Sequence, residues 1–208
     1  MKKLILYGCA IAGLAVGIYS CGSHEEHEKA EAAEKAAGDS AAMALMSNES
    51  QIERGAYLVN MGGCDHCHSP KIMTDKGPQV DMSKRLSGRP ADEPLAKIDQ
   101  SQLAPGKWIL ASQDLTAWVG PWGVSFAANL SPDSGTGTGA WNEDLFIRII
   151  RSGFHMGVEG GRPILPPMPW DSFAKMKDED LKAVFAFIKS LPPIKNKVPD
   201  PLPPAGKS

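Results

Sequence analysis

The stretch Met61–Pro70, "MGGCDHCHSP", sets two thiols three positions apart, with an imidazole directly after the second. C-x-x-C-H reads as a site of covalent haem attachment: Cys64 and Cys67 add to the two vinyl groups, and His68 is then placed at the iron as its proximal ligand. Two intervening residues let one helical turn present both sulfurs along the porphyrin edge. A thioredoxin-like redox pair should instead open a helix after a strand, whereas this motif follows a helical pattern. A structural zinc site needs four ligands, and no second thiol pair exists: of the four cysteines, Cys9 and Cys21 lie near the N-terminus. His66 is read as an outward-facing spacer.

Haem iron takes a sixth ligand, and Met168 in "RPILPPMPWDSF" is the candidate. Pro166, Pro167 and Pro169 pre-set the backbone around it, which lowers the entropy cost of holding a thioether at the iron. The stretch also lies between two helical patterns that clamp it at both ends. His155 and Met156 in "SGFHMG" are the alternatives; Met61 is too close to Cys64 to reach the opposite haem face, and Met176 reads as packing beside the last helix. Two filled axial positions leave no substrate site, so the chemistry is electron transfer rather than catalysis.

The elements that must position these residues follow from periodicity. "NESQIERGAYLVNMGG" predicts a helix that starts with capping-type residues at Asn48, buries Ile52, Ala56 and Val59, and stops at Gly62-Gly63. "NEDLFIRIIRSG" predicts a second, with Asn142 as N-cap, Leu145, Phe146, Ile149 and Ile150 as buried face and Gly153 as stop. In "KDEDLKAVFAFIKSLPP" the stripe Leu181, Val184, Phe185, Ile188 predicts a third, ended by Pro192-Pro193. Residues 70–140 are dense in breakers and read as loop, with short strands around 107–112 and 115–119. So long an irregular run needs a large buried cofactor to organise it.

Both ends read as appendages. "MKKLILYGCAIAGLAVGIYSC" has a basic start, an apolar run of about 15 residues that is short for a membrane span, and "IYSC" at its end. The last resembles a bacterial lipobox, which implies a signal peptide over 1–20, acylation of Cys21 and a lipid-anchored protein on the periplasmic side of a membrane. Residues 21–47, rich in Ala, Glu and Lys, read as a flexible tether. The tail 194–208, rich in Pro, reads as extended and outside the core. Between them the domain spans 48–193. Apolar residues make up 42% of the 208, enough for one packed core, and the formal charge of −2 excludes a nucleic-acid binder that lives on phosphate neutralisation. No His/Asp/Ser cluster supports a hydrolase.

The helix before C-x-x-C-H, the Gly-Pro after it, the Met loop and the closing amphipathic helix resemble class I cytochromes c. "NLSPDSGTGTGAWNEDLFIRIIRSG", "LPPMPWDSF" and "DEDLKAVFAFIKSLPP" are similar to the haem domains of the cytochrome subunits that serve membrane-bound alcohol and sugar dehydrogenases. The resemblance covers roughly 48–193. It implies an all-α fold wrapped around one covalent haem c, with a long irregular insert between the attachment motif and the Met loop, and axial ligation by His68 and Met168. It also implies that the Pro78 carbonyl accepts a hydrogen bond from the His68 ring. It further places Arg89 near a haem propionate, against a solvated surface arginine as the other reading. Trp108, Trp122 and Trp141 are candidates to wall the haem or to pack as ordinary core. The implied partners are redox proteins: a dehydrogenase or quinol-oxidising complex as donor, an oxidase or another cytochrome as acceptor. Two other roles stay open, a tightly bound subunit of a larger membrane complex and a haem sensor or enzyme with a displaceable sixth ligand. The chain departs from those subunits in having a single C-x-x-C-H where they carry three haems. His68 and Met168 also stand 100 positions apart. The excess lies around 83–127, as a docking surface or a lid.

Overall fold

A computed structural model describes residues 22–99, 101 and 106–204, so the expected signal peptide and Cys21 lie outside the described residues. The chain divides into two units, Met1–Met46 and Ser47–Ser208. Helix α1 spans Gly22–Met61. Over the segment read as a tether, the described residues are helical through residue 47, because Ala, Glu and Lys are strong helix formers with no breaker but Gly38 among them. Among the described residues no helix is long and apolar enough to cross a membrane.

In the second unit, the last turns of α1 carry Val59 into the core at 1% exposure, with Ile52, Ala56 and Leu58 packed against it. The Gly62 and Gly63 N–H groups close the helix end on Leu58 O and Asn60 O. Gly63, in the left-handed region at φ 65°, then starts the one-turn helix α2, Cys64–His68. Helix α3, Glu143–Ser152, is capped by the Asn142 side chain accepting from the Leu145 N–H at 2.9 Å. It buries Phe146, Ile149 and Ile150, while Leu145 is half-buried. A short helix α4, Trp170–Phe173, follows the Met168 loop. Helix α5, Asp178–Ser190, buries Leu181, Val184, Phe185 and Ile188 as expected, together with Ala183 and Phe187. Val59, Leu86, Phe146, Ile150 and the α5 stripe make one core, in which the Phe146 and Phe185 rings stack with centroids 5.1 Å apart.

The fold is not all-α. Strands β1 (Lys71–Thr74) and β2 (Gly77–Val80) form an antiparallel hairpin around Asp75-Lys76. Strands β3 (Leu110–Ala111), β4 (Ala117–Gly120) and β5 (Gly123–Phe126) form a three-stranded antiparallel sheet. The two strands expected near 107–112 and 115–119 are β3 and β4; β1, β2 and β5 stand where the density of breakers predicts loop. Ladder hydrogen bonds satisfy these strands' backbone groups where helices do not reach. The tail is extended, but it is bonded into the fold rather than lying outside it. Leu202 exchanges both backbone hydrogen bonds with Val124, at 2.8 and 3.0 Å, and the Asn196 amide donates to Ser87 O and Arg89 O.

A candidate haem-attachment site

Gly63 opens α2 so that Cys64, Cys67 and His68 lie within one short helix, which side-chain bonds hold in place. Arg85 grips Asp65 with both ends of its guanidinium, Nε at 3.1 Å to each oxygen and an Nη at 2.8 Å. Its charged carbon lies 5.0 Å from the Phe187 ring centre, which ties α2 to the α5 core. The Ser69 hydroxyl donates to Asp65 at 2.7 Å and accepts the Leu86 N–H at 2.8 Å. Lys71 donates to the carbonyls of Asp65, His66 and Ser69 at 3.2, 2.5 and 2.6 Å, capping the helix end with a cation. His66 is exposed, as the spacer reading requires.

Cys64 and Cys67 are both free. Burial, with the Asp65 charge beside it, pushes the Cys64 thiol up to about 11, and burial raises Cys67 as well. A dithiol exchange pair needs a nucleophile with a depressed pKa, and neither sulfur has one. Nor does a bare ion fit, since among the described residues no group of three or more His, Cys, Asp or Glu side chains is placed to hold one.

The His68 ring is held by a residue that the sequence did not mark. Its Nδ1 lies 2.8 Å from the Ala128 carbonyl. A carbonyl only accepts, so Nδ1 carries the proton and Nε2 keeps the lone pair that a metal would take. Burial lowers the pKa of the ring and so favours the neutral, ligating form. The expected partner, the Pro78 carbonyl, does not serve: Pro78 stands in β2 opposite Met73. The carbonyl that reaches the ring belongs to Ala128, two residues past the end of β5. Ala128 supplies only a backbone atom sixty positions away, for which no side-chain signal exists. The junction is tight on its other side too. Gly88 donates its N–H to His68 O at 2.7 Å. It sits at φ 77°, and a Cβ there would come within 2.5 Å of Ala127 O, so only glycine fits.

Arg89 is neither a solvated surface residue nor free to reach outward. It is 2% exposed, and its two terminal nitrogens donate to Asp114 and Thr116 (3.3 Å each) and to the Glu93 and Pro94 carbonyls (3.1 Å each). Its bonding capacity on those atoms is used inside the insert, which it folds upon itself. Trp108 is 68% exposed; Trp122 and Trp141 are half-buried, the latter packed on the core with Met176.

Met168 is half-buried between the α3 and α4 segments. Upstream, the Ile164 N–H donates to Gly153 O at 2.7 Å; downstream, the Phe173 N–H donates to Pro169 O at 3.3 Å. The Pro166-Pro167 bond is cis. Gly153, at φ 70°, ends α3 directly under the Trp170 ring, which a Cβ would meet at 2.5 Å. Of the alternative ligands, His155 and Met156 are both exposed, in a separate 3-10 turn. Met61 is exposed as well, at 69%.

Known proteins share this stretch of chain. The cytochrome c subunit of gluconate 2-dehydrogenase from Pantoea cypripedii is 28% identical over 68% of this chain and 23% of its own length. The cytochrome c subunit of the quinone alcohol dehydrogenase from Gluconobacter oxydans is 26% identical over 77% of this chain and 26% of its own. The cytochrome subunit of fructose dehydrogenase from Gluconobacter japonicus is 24% identical over 66% of this chain and 20% of its own. The matched part of the chain thus spans about a quarter of the length of these curated relatives. A family model described as Cytochrome c matches residues 52–192 and so takes in α2, the insert, the Met168 loop and α5. Two neutral thiols and a tautomer-fixed imidazole stand inside that span, and the chain belongs to the cytochrome c family.

Proposed function

We propose that this chain is a one-electron carrier with a single covalent haem, bound through Cys64 and Cys67 and ligated by His68 and Met168. The observation that carries the reading is the His68–Ala128 hydrogen bond, which leaves Nε2 as a preset donor beside the two thiols. Bound haem supplies a ferric/ferrous couple, and a His/Met ligand pair gives it a higher potential than two histidines. The protein's part is to hold the two side chains fixed in both oxidation states, so that little reorganisation accompanies the electron. One C-x-x-C-H in the sequence supports one haem. The Met168→Ala variant tests the ligand set: the ferric protein is expected to lose its methionine-to-iron absorption band and to bind carbon monoxide rapidly when reduced. An unchanged spectrum would refute it.

The donor in this reading is a membrane dehydrogenase or quinol-oxidising complex, and the acceptor an oxidase or another cytochrome. The relatives' names, as cytochrome subunits of gluconate and alcohol dehydrogenases, support the dehydrogenase side. They also favour a second reading, a firmly bound subunit of such a complex. Purification in mild detergent separates the two, since a subunit co-elutes with other chains at fixed stoichiometry. The "IYSC" stretch supports a periplasmic, lipid-anchored location through Cys21. Labelling with a radioactive fatty acid, compared with a Cys21→Ser variant, tests it.

A further inference from the structure

The Pro166–Pro169 loop is poor in backbone donors. Three of its four residues are prolines, and the Met168 N–H turns back to Leu165 O at 3.3 Å. Among the described hydrogen bonds to residues 165–168, the only one from a distant element comes from the insert. The Ser125 hydroxyl, on β5, donates to Pro166 O at 2.5 Å. Trp122 Nε1 donates to that same hydroxyl oxygen at 3.2 Å, so the oxygen acts as acceptor toward Trp122 while its proton goes to the Pro166 carbonyl.

Ser125 is itself fixed. It is 5% exposed and faces Trp118 across the β4–β5 ladder. Its neighbour Val124 is paired with Val119 on one side and with Leu202 of the tail on the other. A strand bonded on both edges cannot follow a drifting loop, so it is the loop that is held.

We propose that Ser125 is a positioning residue for Met168, through which the β4–β5 hairpin and the tail hold the methionine loop in place at the iron. This rests on the reading of Met168 as the sixth ligand. It gives part of the 83–127 segment a task inside the redox site rather than at a docking surface or as a lid.

The test is imidazole binding to the ferric holoprotein, because imidazole must displace Met168 and so reports how firmly the thioether is held. Loss of one part-buried hydrogen bond predicts that Ser125→Ala binds imidazole about fivefold more tightly. It should also show a weaker methionine-to-iron band and a lower reduction potential. Ser125→Thr, which keeps the hydroxyl, should restore the parent affinity. A merely structural serine would lower the melting temperature and leave imidazole affinity, band and potential unmoved; that pattern overturns the proposal while the ligand assignment stands. If Met168→Ala leaves the spectrum unchanged, the ligand assignment fails and the proposal fails with it. Should Ser125→Ala not accumulate as holoprotein, Ser125→Cys, near-isosteric with a weaker donor, replaces it: an intermediate gain in imidazole affinity supports the clamp, and parent affinity refutes it.

Discussion

Gly55→Ala sets two effects of opposite sign against each other. In an isolated helix the change is favourable by about 1 kcal/mol, because glycine is a poor helix former. In α1, however, Gly55 is buried against α5: an added Cβ would lie 1.9 Å from Ala183 O, 2.6 Å from Ala183 C and 2.7 Å from the Phe187 Cβ. Two of those atoms are helix backbone and cannot rotate away. Ordinary contact lies near 3.4 Å, so the two helices must part by about 1.5 Å at their point of closest approach, where the core is packed at crystal-like density. Overpacking of this kind costs about 1–3 kcal/mol or more, and the rigid obstacle places Gly55→Ala at or beyond the upper end. The packing loss outweighs the propensity gain, and the net expectation is a destabilisation of roughly 2 kcal/mol. Thermal unfolding of the holoprotein should show a midpoint lower by about 4–8 °C. Since α1 delivers Cys64 to its place, a lower yield of haem-loaded protein should accompany it. A variant as stable as the parent, or more so, would refute the helix crossing described above.

Arg85→Ala removes the partner of Asp65 and the cation over Phe187, and should cost about 2–3 kcal/mol by urea unfolding. Burial alone pushes the Asp65 carboxyl up, but the Arg85 and Ser69 hydrogen bonds outweigh it and hold the group below the usual 3.8. The stabilisation is therefore present above the unfolded-state value and lost as pH falls through the folded one. The parent should lose stability more steeply than Arg85→Ala below about pH 4, and parallel pH profiles would refute the assignment. Arg89→Ala leaves the Glu93 and Pro94 carbonyls without a donor and takes the counter-ion from Asp114, which keeps its bonds from Ser112 and Thr116, at a cost of about 3 kcal/mol; accelerated amide exchange across residues 90–99 and 106–117 is the readout. Arg89→Lys keeps the charge but not the four-way fork, and should rescue less than half of that protection.

The family was legible because the chemistry of C-x-x-C-H is carried by residue type and spacing alone. Helices α3 and α5 were legible because their apolar stripes and caps are local: Asn142, Gly153, Leu181, Val184. The strands were harder for a physical reason. "KIMT" and "GPQV" are four residues each, too short for an alternation to register, and Pro78 argues against a strand interior, although an edge position in a two-stranded hairpin accommodates it. What the sequence hid were contacts made by backbone atoms or by polar side chains across long separations: Ala128 with His68, Asn196 with Ser87 and Arg89, Ser125 with Pro166. A carbonyl has no residue signature. The expectation of an all-α fold came from resemblance, which carries the haem-binding helices well and says nothing about what an insert will build from its own residues.

The long interval between His68 and Met168 is explained by where the insert begins and ends. Its two ends meet at His68. Arg89 donates its N–H to Ala127 O at 3.0 Å, Gly88 binds His68 O, and Ala128 receives the His68 ring. Everything from 90 to 126 thus leaves and returns through one neck. Asn129 and Asn196 stitch that neck to the tail, with the Asn129 amide donating to Ile194 O at 2.8 Å. Closing a loop costs only about 0.6 kcal/mol for each doubling of its length, and here the neck's own hydrogen bonds and the buried Arg89 offset that cost. A chain can therefore lengthen this segment without moving His68. The geometry that matters is set at residues 88, 89, 127 and 128, and the residues between them are left free to build β3, β4 and β5, and with β5 the contact to the methionine loop.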